Sequence, residues 1–135
     1  GTGGHYRVHS FRIEGHDSDG SAELETGSDM QAELVLKSPD GRAPVGLFGI
    51  MRADGTPVYG VSSEFDDIKG EKMDDDTYCF RIHFENLPLL PGTYSLRGHA
   101  MDPEGIRLFD ASEIRFSVTG KSREMGMVRL PHRWE

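Results

Sequence analysis

The chain has 135 residues, 36% hydrophobic and 28% charged, which is enough for one core, too short for two, and too apolar for a disordered chain. Its 17 Gly and 7 Pro interrupt it too often for a helical bundle. A formal net charge of -8 opposes binding to a phosphate backbone, and the single cysteine, Cys79, excludes an internal disulfide and a cysteine zinc site and fits a reducing compartment.

Gly1-Thr2-Gly3-Gly4 reads as a linker, so residues 1–5 are set apart as a linker or cloning remnant and 6–135 as the folded domain. No apolar run approaches the length of about 20 residues that crosses a bilayer, and the first residues do not read as a secretion signal. From Tyr6 onward the apolar spacing is close to two, in short runs bounded by Gly, Pro, Asp and Asn, which predicts strands. The first spans Tyr6 to Glu14 and ends at the turn cluster Gly15-His16-Asp17-Ser18-Asp19-Gly20. A second begins near Asp29, with Met30, Ala32, Leu34 and Leu36 on its core face, and closes at Ser38-Pro39-Asp40-Gly41.

Val45 to Ala53 is apolar on both faces, which predicts a strand inside a sheet, and Asp54-Gly55 turns it into a hairpin with Pro57 to Ser63. Glu64 to Asp76 lacks periodicity and is expected to be a long exposed loop. Tyr78, Phe80, Ile82 and Phe84 then alternate with Cys79, Arg81, His83 and Glu85. After Leu87-Pro88-Leu89-Leu90-Pro91-Gly92, Tyr94, Leu96, Gly98 and Ala100 alternate with Ser95, Arg97, His99 and Met101. Ile106 to Ala111 is ambiguous, Ile114, Phe116 and Val118 face inward, and a last short strand is expected over Met125 to Leu130. Eight strand-like runs without an amphipathic helix predict an all-β, immunoglobulin-like antiparallel sandwich.

Few motifs carry chemistry. Thr119-Gly120-Lys121-Ser122 resembles the end of a phosphate loop, but Arg115 stands where the pattern needs Gly, and no helix follows. Asp17-Ser18-Asp19-Gly20 places Ser28 where a calcium loop needs its closing Glu, and Asp74-Asp75-Asp76 reads as a solvated loop. His5 and His9 have an even spacing that would share one strand face, yet a metal needs three or four ligands, so no metal and no cofactor is expected. There is no Gly-x-Ser-x-Gly, and none of the carboxylates is marked by its setting as one of a glycosidase pair. What remains is a rigid sandwich with Arg81, His83, Arg97, His99 and Arg115 at outward positions and Met101 and Tyr59 as apolar neighbours, a set suited to sugar hydroxyls and ring faces.

Four segments come in a telling order: Leu47 to Gly55, Val58-Tyr59-Gly60, Leu87-Pro88-Leu89-Leu90-Pro91-Gly92-Thr93-Tyr94, and the ending Gly126 to Trp134 with its Gly-x-Val-x-Leu-Pro-x-x-Trp. Together they resemble the C-terminal carbohydrate-binding domain of Wzt-type ATPase subunits of ABC transporters that export O-antigen polysaccharide, over roughly residues 6 to 134. The resemblance implies a non-catalytic module that recognises the non-reducing end of its glycan before export. It also implies a cytoplasmic location at the inner membrane, an ATPase domain outside this chain and a transmembrane partner subunit. Family members dimerise by exchanging the last strand, and Gly120 to Glu124 would be the hinge here. No glycan-contacting residue transfers by motif. The strand pattern instead selects Arg97 and His99 as hydrogen-bonding groups and Tyr59 as a platform, with Arg52, Met101 and Arg115 beside them. The competing readings are a structural or protein-interaction sandwich and a small glycan-modifying enzyme.

Overall fold

The computed structural model describes residues 4–16 and 22–135. Nine strands follow in order: β1 (Arg7–Ile13), β2 (Ala22–Glu25), β3 (Met30–Lys37), β4 (Val45–Arg52), β5 (Pro57–Ser62), β6 (Glu71–Lys72), β7 (Thr77–Phe84), β8 (Gly92–Met101) and β9 (Leu108–Thr119). They form a four-stranded sheet, β1-β3-β7-β6, and a five-stranded sheet, β2-β9-β8-β4-β5. All pairs are antiparallel except β2 with β9, which is parallel. Among the described residues no helix is long and apolar enough to cross a membrane.

The alternation expected of β3, β7 and β8 is present. Met30, Ala32, Leu34 and Leu36 of β3 meet Leu96, Ala100 and Phe116 of the opposite sheet in one core, the burial that drives two sheets together. β4 lies between β8 and β5, inside its sheet as its apolar pattern predicts. Gly98 is a buried inward position of β8 without a side chain, and there a Cβ would come within 2.8 Å of Leu34 Cδ1 and 3.0 Å of Phe11 Cε1. The close approach of the two sheets requires glycine at this point.

Several expectations are corrected. β2 was not expected, and β9 is one strand of 12 residues where the sequence suggested an ambiguous run and a separate short strand. The loop after β5 contains the two-residue β6. Cys79 points away from the core, opposite Val35, yet is buried, because β6 lies beside it. Residues 125 to 130 form no strand; a single bridge between Leu89 and Val128, with Leu90 N–H donating to Met127 O at 2.8 Å and Arg129 N–H to Pro88 O at 2.7 Å, holds this segment. The segment lacks a sheet neighbour to extend the pairing, so its alternation alone does not make it a strand.

Candidate functional site

The outer face of the five-stranded sheet is laid out by register. In one row Gly60, Gly49, Arg97 and Glu113 stand side by side on β5, β4, β8 and β9; the next rows hold Leu47, His99 and Ala111 on one flank, and Met51, Ser95 and Arg115 on the other. Adjacent strands lie about 4.8 Å apart, so each row spans a few sugar-sized steps.

Arg97 Nε lies 3.6 Å from Glu113 Oε2, an exposed ion pair too long to spend the guanidinium's hydrogen-bonding capacity. His99 is half-buried between Leu47 and Ala111, and its Nδ1 is buried with no hydrogen-bond partner among the described residues. Burial, and then the Arg97 charge, lower its pKa below the usual histidine value. At pH 7 it is therefore a neutral ring, able to accept at one nitrogen and donate at the other.

Gly49 and Gly60 face each other across the β4–β5 ladder. A Cβ would meet nothing nearer than Tyr59 O at 3.7 Å from Gly49, or Phe48 O at 3.9 Å from Gly60. Neither has a positive φ, so the fold itself does not demand glycine at either position. The pair leaves a strip of bare backbone between Leu47 and Met51, beside Arg97, where a flat ring can come close to the sheet. Sequence reading passed over these glycines and Glu113; two glycines inside apolar strands were the available signal.

The structure brings four of the six predicted residues to this face: Arg97, His99, Met101 and Arg115. It separates two. Tyr59 pairs with Ile50, whose side chain is in the core, so Tyr59 lies on the inner side at the open edge, 54% exposed and edge-on to Phe84 at 6.4 Å. Arg52 pairs with Tyr94 and sits at the end of the sandwich, in a concavity with Asp54, Pro91 and Gly126. The register shift between Ile50 and Met51 inserts Val58 and defeats simple counting along β5.

Elsewhere the polar clusters hold the fold together. Tyr6 Oη donates to the Asp40 carboxylate at 2.9 Å, and Arg42 Nε donates to the same carboxylate at 3.0 Å, tying the start of the domain to the β3–β4 loop. His9 falls at the register shift between Val8 and Ser10, which breaks the shared face predicted with His5. His83 and His99 belong to different sheets. Asp76 is engaged by Lys37 at 3.3 Å and by the Thr77 hydroxyl at 3.0 Å. Asp17 to Gly20 lie outside the described residues, and among the described ones no group of three or more His, Cys, Asp or Glu could hold a metal.

The family model of the Wzt C-terminal domain matches residues 2–130. No curated protein sequence matches the chain. Two solved structures resemble it in part. One is the CARDB domain of the PF1109 protein from Pyrococcus furiosus, crystallised with di-metal ions (10% identity, 85% of this chain and 86% of that one, TM-score 0.44). The other is the PmoD soluble domain from Methylocystis sp. ATCC 49242 (18% identity, 81% and 90%, TM-score 0.42). The family match spans nearly the whole chain, so this protein belongs to the Wzt C-terminal domain family, a carbohydrate-binding module of the ATP-binding subunits of O-antigen ABC transporters.

Proposed function

We propose that this member of the family grips the non-reducing end of its cognate O-antigen polysaccharide on the outer face of the five-stranded sheet, before export, and makes or breaks no bond. What carries the reading is one juxtaposition: a cationic Arg97 and a half-buried His99 with an unpartnered nitrogen beside the bare Gly49–Gly60 strip. Arg97 supplies planar donors to vicinal hydroxyls, and the neutral His99 exchanges its orphan nitrogen for a ligand partner when the ring turns. Met51, Met101 and Leu47 offer soft apolar surface to ring faces, and Arg115 widens the cationic side. The module acts on the cytoplasmic side, held at the inner membrane through an ATPase domain and a transmembrane subunit. Calorimetric titration with the source organism's polysaccharide, intact and with its terminal residue removed, tests this. Saturable heat with the intact chain and its loss after trimming are expected; equal binding of both would reject end recognition.

The C-terminal segment supports a homodimer formed by exchange. Met125, Leu130 and Trp134 are 95%, 70% and 92% exposed, an apolar display that a lone domain leaves in water. The segment is held around residues 127–129, to Pro88–Leu90 and to the Tyr94 hydroxyl, and a partner's segment can make the same contacts. Light scattering on the full chain and on a chain ending at Gly120 is expected to give a dimer and a monomer, respectively. Monomers in both would reject the exchange.

A further inference from the structure

The sandwich is closed on one side, where β1 packs against β8 and β9, and open on the other. There β5 is the edge of its sheet, and β6 covers only Tyr78 and Cys79 of β7, so Phe80 to Phe84 have no strand partner on that side among the described residues. Between these two edges lies a cavity of about 310 Å³, within the range of small-molecule sites. Phe48, Val61, Ile68, Phe80 and Ile82 make its apolar walls.

Its polar groups are few and specific. Ser62 Oγ accepts the Phe65 N–H at 3.2 Å and Ser63 Oγ accepts the Gly46 N–H at 3.1 Å, which leaves both hydroxyl hydrogens to donate. The mouth carries two cations, Lys69 and Arg81, and two acids, Asp66 and Glu71. Arg81 is held by Glu33 at 3.1 Å and by Glu71 at 3.0 Å. The balanced mouth favours an uncharged occupant over an ion. The wall is built in advance: Ile68 N–H donates to Ser63 O at 2.8 Å, and Gly70 rests on the Phe80 ring so closely that a Cβ would come within 2.6 Å of Cζ.

We propose that this edge cavity is a second glycan subsite, for an uncharged sugar residue bearing an apolar substituent such as a 6-deoxy or N-acetyl methyl group. The methyl group sits against Phe48, Val61 and Phe80, and ring or hydroxyl oxygens accept from Ser62 and Ser63. The proposal rests on the glycan-binding reading above but uses a surface on the other side of the same sheet.

The sole thiol, Cys79, is buried beside this cavity under β6, so its alkylation requires local opening of the β6–β7 edge, which an occupant of the cavity opposes. Alkylation of Cys79 by iodoacetamide is followed in the presence of methyl 6-deoxyhexoside, methyl N-acetylhexosaminide or a plain methyl hexoside. One of the first two is expected to slow it about threefold at twice its dissociation constant, and the plain hexoside less. Val61→Phe, which fills the cavity, removes that protection, as does Ser62→Ala should the larger side chain prevent folding; Arg97→Ala leaves it intact. Alkylation indifferent to every glycoside overturns the subsite, even where the polysaccharide still binds. Protection that rises with protein concentration without glycoside also overturns it, in favour of a second copy. Failure of end recognition alone appears only in the polysaccharide titration and leaves the Cys79 result standing.

Discussion

Arg97→Ala is expected to weaken polysaccharide binding roughly 10- to 100-fold, because a hydrogen bond from a charged donor is worth about 1.5–3 kcal/mol. His99→Ala is expected to cost less, about fivefold, as a neutral hydrogen bond contributes about 1 kcal/mol. Neither change should unfold the domain. Arg97 and His99 project from β8 on the side opposite Leu96 and Ala100, and the Glu113 left behind by Arg97→Ala is exposed rather than a buried unpaired charge. Calorimetry at matched thermal midpoints checks both. Glu113→Gln sharpens the comparison, because it removes the competing acid and keeps the guanidinium, so binding should hold or tighten. Parent-like isotherms for Arg97→Ala and His99→Ala would move recognition off this face.

The strands were legible wherever one face was uniformly apolar. Met30 to Leu36 and Tyr94 to Ala100 announce their inward positions by alternation alone. β9 was hidden because two inward positions are polar. Asp110, opposite Ala100, accepts the Val8 N–H at 2.8 Å, and Ser112 lies opposite Gly98. These side chains answer to β1 and to the bare glycine on the neighbouring strand β8, partners that a single stretch of sequence does not display. β2 was hidden by brevity: Ala22 and Leu24 alternate with Glu23 and Glu25 over only four residues. Tyr59 was misplaced for another reason, since parity along β5 is reset by Val58 at the register shift. Four of the predicted residues therefore share one face where strands run regularly, and the bulge takes Tyr59 off it. The edge cavity was beyond reach of sequence, because it exists only between strands whose separation no local pattern encodes.

Phe116→Ala is expected to be the most damaging single truncation of the core, lowering stability by about 3–5 kcal/mol and the thermal midpoint by roughly 10–20 °C. Phe116 is fully buried on β9, opposite Tyr94 on one neighbour and Ala22 on the other. Its ring stacks on Tyr94 with centroids 5.7 Å apart. Ala leaves a void between the sheets, and the short, parallel β2 pairing has few other side chains with which to close it. The damage should spread in a defined direction. Tyr94 Oη donates to Leu90 O at 2.6 Å and lies 3.3 Å from Met127 O, so the Tyr94 ring links the core to the Leu87–Gly92 turn and to the C-terminal segment. Hydrogen exchange in Phe116→Ala should therefore quicken first at Leu90 and Arg129, whose amides are bonded across that junction, ahead of β3 and β7 in the other sheet. Uniform acceleration across all strands would mean that Phe116 supports the sandwich as a whole and has no particular hold on the tail. Under the localised outcome the aromatic pair is what fixes the C-terminal segment, and the exchange dimer proposed above should loosen in the same variant before the β-sheets do.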